Sequence, residues 1–326
     1  MDKWKECLRA IRENNNNVAW SMSEFIDETP KAITPALLQE ADPNGNISEE
    51  IIYAALMAGL SGIEDDAITS EYFIPAVTAL EPDDYACDLY LAKIKFPDVA
   101  SKHWKFTHYH YSPYEAFICD DIIRELDSRE IPRIGYFREN FRYPAVEQNY
   151  REWMAVKPSE IATMKPALDI ISGKVVTFGL GLGYFTFMAS ENPSVFSVDV
   201  VERDEEVIDL FSKYILEQFP HKEKVRIIKS DAFDYMTDMP EYDYAFVDLW
   251  HDTSDGLELY IKARKCAKVH YESGKHTVFL YWVEKSLLSA YRWIVFDKII
   301  ETSTSESQAL ERLGDDYLKT MIDGEE

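Results

Sequence analysis

Four of the chain's twelve glycines fall within eleven consecutive positions, and this cluster constrains the fold more than any other feature. Gly173, Gly179, Gly181 and Gly183 surround the apolar run 175–178 and precede a segment of helical composition. A Gly-x-Gly-x-Gly turn between a buried strand and a helix lets backbone approach a ligand closely, because no Cβ intervenes and positive φ costs little. The cluster therefore predicts a ligand-binding turn at the end of a first parallel strand.

The residues that follow the turn bear on the identity of the ligand. A dinucleotide-binding turn needs Gly or Ala three residues after its second glycine, so that a pyrophosphate can sit on the helix N-terminus. Tyr184 and Thr186 occupy the two positions that this rule tests. A nucleoside without a pyrophosphate, notably S-adenosylmethionine, therefore fits better than NAD or FAD. A tight turn without any ligand is the alternative.

Around and beyond the glycines, apolar β-branched runs alternate with helix-length segments. The predicted strands are residues 174–178, 195–201, 225–229, 244–248 and 276–282, and two predicted helices are residues 184–191 and 205–218. Five such runs separated by helices favour a parallel sheet covered on both faces. The predicted fold class is α/β, with a Rossmann-like, mostly parallel sheet and a mainly helical N-terminal domain.

Changes in composition and in residue pattern along the chain predict three regions. Residues 1–150 are expected to form the mainly helical domain, with a short β connector near 131–150. Residues 151–300 are expected to form the Rossmann-like domain, and residues 301–326 an acidic C-terminal tail whose last residues are frayed.

Local patterns in the first region predict helices and one loop. Apolar residues recur at helical spacing in residues 51–60, behind the N-cap candidate Ser48, and again in residues 114–126. The asparagine run 14–17 predicts a polar loop between helices.

Charge and hydropathy exclude several classes of protein. The net charge of −25 comes without a basic patch, which disfavours nucleic-acid binding and favours small cationic substrates. No apolar run approaches the roughly 18 residues of a membrane helix, and no secretory signal is recognisable, so a cytoplasmic location is expected. The cysteines form no Cys-x-x-Cys pair and are expected to be reduced and mostly in the core: Cys7, Cys87, Cys119 and Cys266.

Acidic residues end three successive predicted strands, where open α/β sheets bind ligands. Glu202 can accept hydrogen bonds from both ribose hydroxyls of an adenosyl group. Asp231 can accept from the adenine amino group, beside the Ala232 amide, and Asp248 can orient or deprotonate an amine. The respective alternatives are a solvated strand end, a helix N-cap and a cap of the next turn.

Aromatic and acidic residues flank the predicted cleft. Trp250, His251 and the pair 281–282 suit a sulfonium or ammonium cation through their ring quadrupoles, and they serve equally as core residues. Trp153 or Glu160 could cap the donor pocket, with an interdomain connector as the alternative.

Two groups carry weaker signals. His103, His108 and His110 have a spacing that can bind a divalent metal, but polar aromatics packed against the C-terminal half are the favoured interpretation. Asp199 and Asp204 are expected to be surface charges.

Residues 165–285 resemble the class I S-adenosylmethionine-dependent methyltransferase superfamily, and within it the spermidine synthase branch. The similar segments carry the second, third and fourth strand motifs: residues 201–211, 225–236 and 242–252. The resemblance implies ribose binding by Glu202 and adenine binding by Asp231 and Ala232. It implies that Asp248 faces the attacking amine.

Two departures from spermidine synthases bear on the reaction. Their glycine turn carries an Asp that holds the amino end of the decarboxylated donor, whereas residues 179–184 here read Gly-Leu-Gly-Leu-Gly-Tyr. Their fourth-strand motif has a second Asp three residues after the first, whereas this chain has His251 there and the carboxylate follows at Asp252. A donor that keeps its carboxylate, S-adenosylmethionine itself, is therefore favoured, and methyl transfer with it.

These features predict a transferase that uses S-adenosylmethionine, or its decarboxylated form, and moves a methyl group to a small amine or other nucleophile. The alternatives are aminopropyl transfer of the spermidine synthase kind, and a non-catalytic nucleoside-binding or interaction protein. Trp250, His251, Asp252 and Tyr281 are the candidates for substrate contact, and no metal site is predicted. The sequence leaves homodimer formation open.

Overall fold

The computed structural model describes residues 2–324, whose contacts group into two compact units. The first unit comprises three segments, which are the chain up to Asp84, His110–Arg142 and Leu288–Leu318. The second unit comprises Tyr85–Tyr109, Tyr143–Leu287 and the residues from Lys319 onward. Because each unit combines segments that are distant in sequence, a single division near residue 150 does not separate them.

The first hundred residues are mainly helical, as predicted. Their elements are α1 (Lys3–Glu28), α2 (Pro35–Ala41), α3 (Glu49–Leu60), α4 (Asp66–Ile68), a π-helical turn (Thr69–Phe73), α5 (Ile74–Ala76), β1 (Val77–Leu80), α6 (Pro82–Ala86) and α7 (Leu89–Lys93). Helix α3 matches the helix predicted at residues 51–60. Its predicted cap is also present, because the Ser48 hydroxyl accepts a hydrogen bond from the Ile51 N–H at 3.4 Å.

Apolar residues at helical spacing fix the buried face of α1. Val18, Met22 and Phe25 follow an i, i+4, i+7 pattern, and all three are at most 3% exposed in the core of the first unit. In the same core the rings of Tyr53 and Tyr136 stack with their centroids 4.1 Å apart.

The predicted asparagine loop at residues 14–17 is wrong, because this run lies inside α1. Asn15 uses both ends of its amide: Nδ2 donates to the Ser128 carbonyl at 2.9 Å, and Oδ1 accepts from the Tyr72 hydroxyl at 3.0 Å. Tertiary hydrogen bonds thus offset the low helix propensity of asparagine.

Residues 104–155 form five strands: β2 (Trp104–Tyr111), β3 (Phe117–Arg124), β4 (Glu130–Phe137), β5 (Phe141–Gln148) and β6 (Arg151–Ala155). They lie in two three-stranded sheets, of order β1-β4-β3 and β2-β5-β6. The helix predicted at residues 114–126 is wrong, because residues 117–124 form β3, which pairs antiparallel with β4. Buried and exposed side chains alternate over the first four residues of this strand. The connector predicted near 131–150 is β structure, and its strands β4 and β5 belong to different sheets.

The second unit alternates strands and helices after α8 (Pro158–Leu168), which begins with a proline at a position where the missing N–H costs no helical hydrogen bond. The elements that follow are β7 (Gly173–Phe178), α9 (Tyr184–Glu191), β8 (Val195–Glu202), α10 (Glu205–Tyr214), β9 (Val225–Lys229), α11 (Ala232–Asp238), β10 (Tyr244–Val247), α12 (Thr253–Glu272) and β11 (Val278–Tyr281). Short 3-10 turns occur at Leu216–Gln218 and Lys222–Lys224. All five predicted strands and both predicted helices are present.

These five strands form one parallel sheet of order β11-β10-β7-β8-β9. The chain moves outward from the central β7 to β9 and then crosses back to β10 and β11. This reversal places a topological switch point between β7 and β10, and ligands bind outside the carboxyl ends of the strands at such a point. The α/β, Rossmann-like fold class is confirmed.

Three helices complete the described chain: α13 (Glu284–Thr302), α14 (Glu306–Arg312) and α15 (Asp315–Ile322). The acidic tail predicted at residues 301–326 is helical over most of its described part, where Ala309, Leu313 and Leu318 are fully buried. The final residues 325–326, at the end predicted to be frayed, lie outside the described residues. Arg292, itself 6% exposed, donates to the Leu313 carbonyl at 2.7 Å and forms an ion pair with Glu130.

The cysteines differ in part from the prediction. All four are free thiols, but Cys7 and Cys87 are exposed and Cys266 is half-buried, so that only Cys119 is a core residue. None of the helices between residues 2 and 324 is long and apolar enough to cross a membrane.

Asp199 is a buried carboxylate and not the predicted surface charge. It lies in β8 opposite Arg226 of β9 and is 6% exposed. Its carboxylate accepts from Arg226 Nε at 2.9 Å and from the Tyr242 hydroxyl at 2.6 Å. The sheet tolerates this charge because it is paired and hydrogen-bonded.

We expect Asp199→Asn to lower the free energy of unfolding by about 1–3 kcal/mol, because a neutral amide loses the charge-assisted bonds from Arg226 and Tyr242. Urea denaturation followed by circular dichroism measures the change. Asp209→Asn, at an exposed position of α10, is the control and should stay within about 0.5 kcal/mol of wild type. Equal stability of the two variants would contradict a stabilising role of the Asp199 bonds.

Candidate functional site

A cavity of about 320 Å³ lies at the carboxyl edge of the parallel sheet, and all the residues that line it belong to the second unit. This volume is at the lower end of the range for small-molecule sites. Its wall combines the ends of β7, β8, β9 and β10 with parts of β2, β5 and β6. The sequence-predicted residues among the lining are Gly179, Gly181, Glu202, Asp231, Ala232, Asp248, Trp250 and His251.

The glycine turn is required by its protein neighbours. Gly179, Gly181 and Gly183 have φ angles of +97°, +52° and +76°, which side chains rarely adopt. A Cβ on Gly179 would overlap the carbonyl oxygen of Asp248, and one on Gly181 would overlap the sulfur of Met154. Gly183 is the N-cap residue of α9 and lies outside the cavity lining. These glycines allow the chain to turn sharply and let the ends of β7 and β10 approach each other.

Buried tyrosines hold the turn from behind. The fully buried Tyr90 hydroxyl donates to the Leu182 carbonyl, and the Tyr184 hydroxyl donates to Asp88 Oδ2 at 2.9 Å. The two rings meet edge to face with centroids 5.4 Å apart. Tyr184, the position that argued against a dinucleotide, is thus part of the support of the turn.

Glu202, at the last position of β8, is tied to backbone N–H groups. Its Oε2 accepts from Leu180 N at 3.2 Å, and its Oε1 accepts from Arg203 N at 2.7 Å and Asp204 N at 2.8 Å. A carboxylate offers about four acceptor directions, and these bonds use three of them. The Leu180 bond is the longest and therefore the one that most easily yields to a ligand hydroxyl.

Asp231 is the N-cap of α11, which was the alternative interpretation of this residue. Its Oδ1 accepts from Phe233 N at 2.9 Å and from Asp234 N at 3.2 Å. Both bonds end on one oxygen, and the residue also lines the cavity beside Ala232. Capping and ligand contact are therefore compatible, because Oδ2 does not take part in these bonds.

Asp248, directly after β10, is the most perturbed acid of the cavity. Its Oδ1 is buried without a hydrogen-bond partner among the described residues. Burial, and secondarily the charge of Glu160, raises the pKa of Asp248 well above its ordinary value. Burial also raises the pKa of Glu160, to about 7, against the opposing effect of Lys157.

Rings form one wall of the cavity. The indoles of Trp104 and Trp153 meet edge to face at 6.1 Å, and the Trp153 indole lies 6.0 Å from the His251 ring. Trp104 Nε1 donates to Asp204 Oδ2 at 3.2 Å. Asp204 is therefore a partly buried N-cap residue of α10 that lines the cavity, and its prediction as a surface charge is wrong.

The second unit contains the parallel sheet, the glycine turn after its first strand and the acids that end the next three strands. The second unit has a Rossmann-like α/β fold, with a five-stranded parallel sheet of order β11-β10-β7-β8-β9.

Comparisons with solved structures show proteins of similar fold. They include spermidine synthase from Thermotoga maritima (17% identity, TM-score 0.33) and TrmN from Thermus thermophilus (18%, 0.29). A third is the YcgJ protein from Bacillus subtilis (16%, 0.26). The alignments cover 47%, 42% and 36% of this chain and 59%, 45% and 49% of those proteins, respectively. At these identities the likeness concerns the fold alone.

No protein-family model matches the chain. A search of curated proteins also gave no match.

Two predicted substrate residues do not line the cavity. Asp252 caps α12, where its carboxylate and that of Asp255 form a reciprocal capping box. Tyr281 is the last residue of β11, and its ring meets Tyr260 edge to face at 5.0 Å. Both side chains are thus engaged in structural contacts.

The predicted histidine group is dispersed. His103 Nδ1 lies 2.9 Å from Glu206 Oε1, and the His108 ring meets Phe96 edge to face. His110 belongs to the first unit. Between residues 2 and 324, no three His, Cys, Asp or Glu side chains are placed to hold a metal ion.

Trp104 and Phe106 line the cavity but were not predicted as site residues. They belong to β2, about seventy residues before the glycine turn, and no sequence motif connects the two segments. Alternating aromatic residues in 104–111 were the available signal of a strand. Trp153, considered as a cap of the donor pocket, does line the cavity. Glu160, the other residue considered as a cap, does not line the cavity, but its charge raises the pKa of Asp248.

We expect Asp248→Asn to change how stability depends on pH. The wild-type free energy of unfolding should fall as pH rises from about 4, where the unfolded aspartate ionises, to the raised pKa of the folded state. The slope should be about 1.4 kcal/mol per pH unit. The variant lacks this loss and should gain stability relative to wild type as the pH rises above about 4. Urea unfolding across this range measures the effect.

The control for this experiment is Asp209→Asn, whose exposed carboxylate should leave the wild-type profile unchanged. An Asp248→Asn profile parallel to that of the wild type would contradict a raised pKa of Asp248.

Proposed function

We propose that this protein is an S-adenosylmethionine-dependent transferase that methylates a small amine or other nucleophile. One observation carries the proposal: a single cavity collects the glycine turn after β7 and the acids that end β8, β9 and β10. Acids at successive strand ends of a parallel sheet are the arrangement with which such sheets bind adenosyl groups.

The residues of the cavity fit a cationic nucleoside. Glu202, Asp204, Asp231 and Asp248 give it an acidic lining, with Arg203 as its basic member. The rings of the aromatic wall attract a sulfonium or ammonium charge through their quadrupoles. The acceptor-only oxygens of Glu202 and Asp231 match hydroxyl and amino donors of an adenosyl group.

The proposal gives distinct roles to three acids of the cavity and to its aromatic wall. Glu202 binds the ribose hydroxyls, and Asp231 accepts from the adenine amino group beside the Ala232 amide. S-adenosylmethionine, when bound, supplies an electrophilic methyl group on its sulfonium. Asp248 orients the nucleophile and accepts its proton, and the aromatic wall limits the access of water.

Binding and turnover together test the proposal. We expect calorimetry to detect S-adenosylmethionine and S-adenosylhomocysteine at up to millimolar concentration, and we expect methylated product from at least one acceptor in a panel of amines, thiols and carboxylates. Product should disappear in Asp248→Asn. Absence of binding by both nucleosides would refute the proposal. Binding without turnover of any acceptor would favour the non-catalytic alternative.

Glu202→Gln isolates the ribose contact. It replaces an acceptor-only group by one with a donor end, and we expect a dissociation constant about 30- to 1000-fold weaker, equivalent to roughly 2–4 kcal/mol. The variant should also lose about 1–2 kcal/mol of stability, since the carboxylate holds three backbone N–H groups. Glu205→Gln, exposed in the first turn of α10, is the control. Asp204 is unsuitable as a control, because its carboxylate accepts a hydrogen bond from Trp104 in the cavity wall. If Glu202→Gln bound S-adenosylmethionine with wild-type affinity, the proposed placement of the cofactor at the end of β8 would be wrong.

The preference between donors separates methyl from aminopropyl transfer. The turn at residues 179–184 has no acid to pair with the amino end of decarboxylated S-adenosylmethionine, so a charge-assisted bond of about 1.5–3 kcal/mol is missing. We therefore expect the full donor to bind more tightly in competition calorimetry. A clear preference for the decarboxylated donor would restore the aminopropyltransferase interpretation.

A further inference from the structure

The carboxyl group of Asp248 is held at the cavity in an environment that opposes its charge. Its Oδ1 is buried without a partner among the described residues, while its carbonyl oxygen occupies the space beside Gly179. Asp199, by contrast, is buried in the same sheet with an arginine and a tyrosine as partners. The Asp248 site is thus built without the donors that normally stabilise a buried carboxylate.

Helix α8 brings a second carboxyl group to this place. Trp282, directly after β11, donates from its backbone N to the Val247 carbonyl at 3.0 Å, next to Asp248 in the chain. The Trp282 indole donates to Thr163 Oγ1 of α8 at 2.8 Å. Glu160 lies one helical turn before Thr163. Through Trp282, these two bonds connect α8 at Thr163 to the end of β10 at Val247.

Several charged groups surround the two carboxyl groups. Lys157, the N-cap residue of α8, favours the charged form of Glu160, but it also donates to Glu152 of β6 at 3.1 Å. Glu152 in turn disfavours ionisation of Glu160. The remaining charged or titratable groups of the cavity are Glu202, Arg203, Asp204, Asp231 and His251. The basic groups are thus few and partly engaged, which favours a proton on one of the two carboxyls.

We propose that Glu160 is a positioning residue that keeps Asp248 protonated in the ligand-free protein, so that the cavity takes up a cationic ligand by releasing the Asp248 proton to solvent. This inference rests on the proposed function for the identity of the cation, and on the carboxyl pair alone for the proton. The pKa values agree with it, because Glu160 ionises near 7 and then opposes ionisation of Asp248.

The release of the proton prepares Asp248 for the reaction. A sulfonium cation in the cavity compensates the charge that burial opposes, so Asp248 becomes a carboxylate only once the donor has bound. The nucleophile then loses its N–H or O–H proton to this carboxylate while its new bond to carbon forms and the carbon–sulfur bond breaks, with the electron pair left on sulfur. The acceptor class is therefore a nucleophile that must lose a proton.

The first experiment is a carboxyl ¹³C NMR titration of the ligand-free protein labelled in Asp and Glu. Asp248→Asn and Glu160→Gln assign the two signals. We expect Asp248 to titrate above Glu160 and its midpoint to fall by about one pH unit in Glu160→Gln. Glu160→Asp should keep the wild-type midpoint of Asp248, and Asp169→Asn, exposed at the end of α8, should not move it. An Asp248 midpoint that is equal in wild type and Glu160→Gln would overturn the proposal.

The second experiment is calorimetry at pH 7.5 in buffers of different ionisation enthalpy. S-adenosylmethionine should release more protons from the wild type than from Glu160→Gln, and S-adenosylhomocysteine, which lacks the sulfonium charge, should release fewer protons from the wild type than S-adenosylmethionine does. Binding of S-adenosylmethionine without proton release would overturn the proposal. Failure of both nucleosides to bind would refute the proposed function, whereas the NMR titration decides the role of Glu160 in either case.

Discussion

Gly179 and the carbonyl oxygen of Asp248 meet in a space that no side chain can share, and the geometry of the cavity depends on this contact. A Cβ at Gly179 would push the ends of β7 and β10 apart, at the switch point of the sheet. The contact brings the Asp248 carboxyl group beside the glycine turn, and the positive φ of Gly179 allows the chain to continue into α9. One backbone conformation thus couples the architecture of the sheet to the position of its most perturbed acid.

Acids of the second unit fall into two classes that differ in their partners. The carboxylates of Asp199, Glu202 and Asp204 each accept hydrogen bonds from backbone or side-chain donors. Asp248 Oδ1, by contrast, is buried without a donor among the described residues, and the pKa values of Asp248 and Glu160 are both raised. Since an uncompensated carboxyl group destabilises a folded protein, its presence at the cavity indicates a role other than stability.

The parallel sheet was predictable because buried β-branched runs and the glycine cluster are local signals. The failures came from tertiary context. Residues 114–126 have enough apolar positions for either period, and pairing with β4 decides for a strand. Asn15 sits in a helix because Tyr72 and Ser128 bond its amide. Trp104 reached the candidate site through a β-strand far from the glycine turn, which no spacing in the sequence reveals.

The strand-end acids were predictable as a set, since a parallel sheet brings the ends of its strands to one edge. Their hydrogen bonds were not, because N-capping by Asp231 and the ties of Glu202 to Leu180 depend on loop geometry. The pairing of Glu160 with Asp248 depends on how α8 is fixed to Trp282, which involves residues more than one hundred positions apart.

The three-segment construction of the first unit has a consequence for synthesis on the ribosome. Its N-terminal helices and β4 emerge early, but Arg292, which forms an ion pair with Glu130, follows after the whole parallel sheet has been made. At ordinary translation rates that delay is on the order of ten seconds. During this interval all strands of the parallel sheet have been synthesised, but the first unit still lacks its last segment. Apolar surface that this segment covers in the folded protein is then exposed, and chaperones can bind it before the fold is complete.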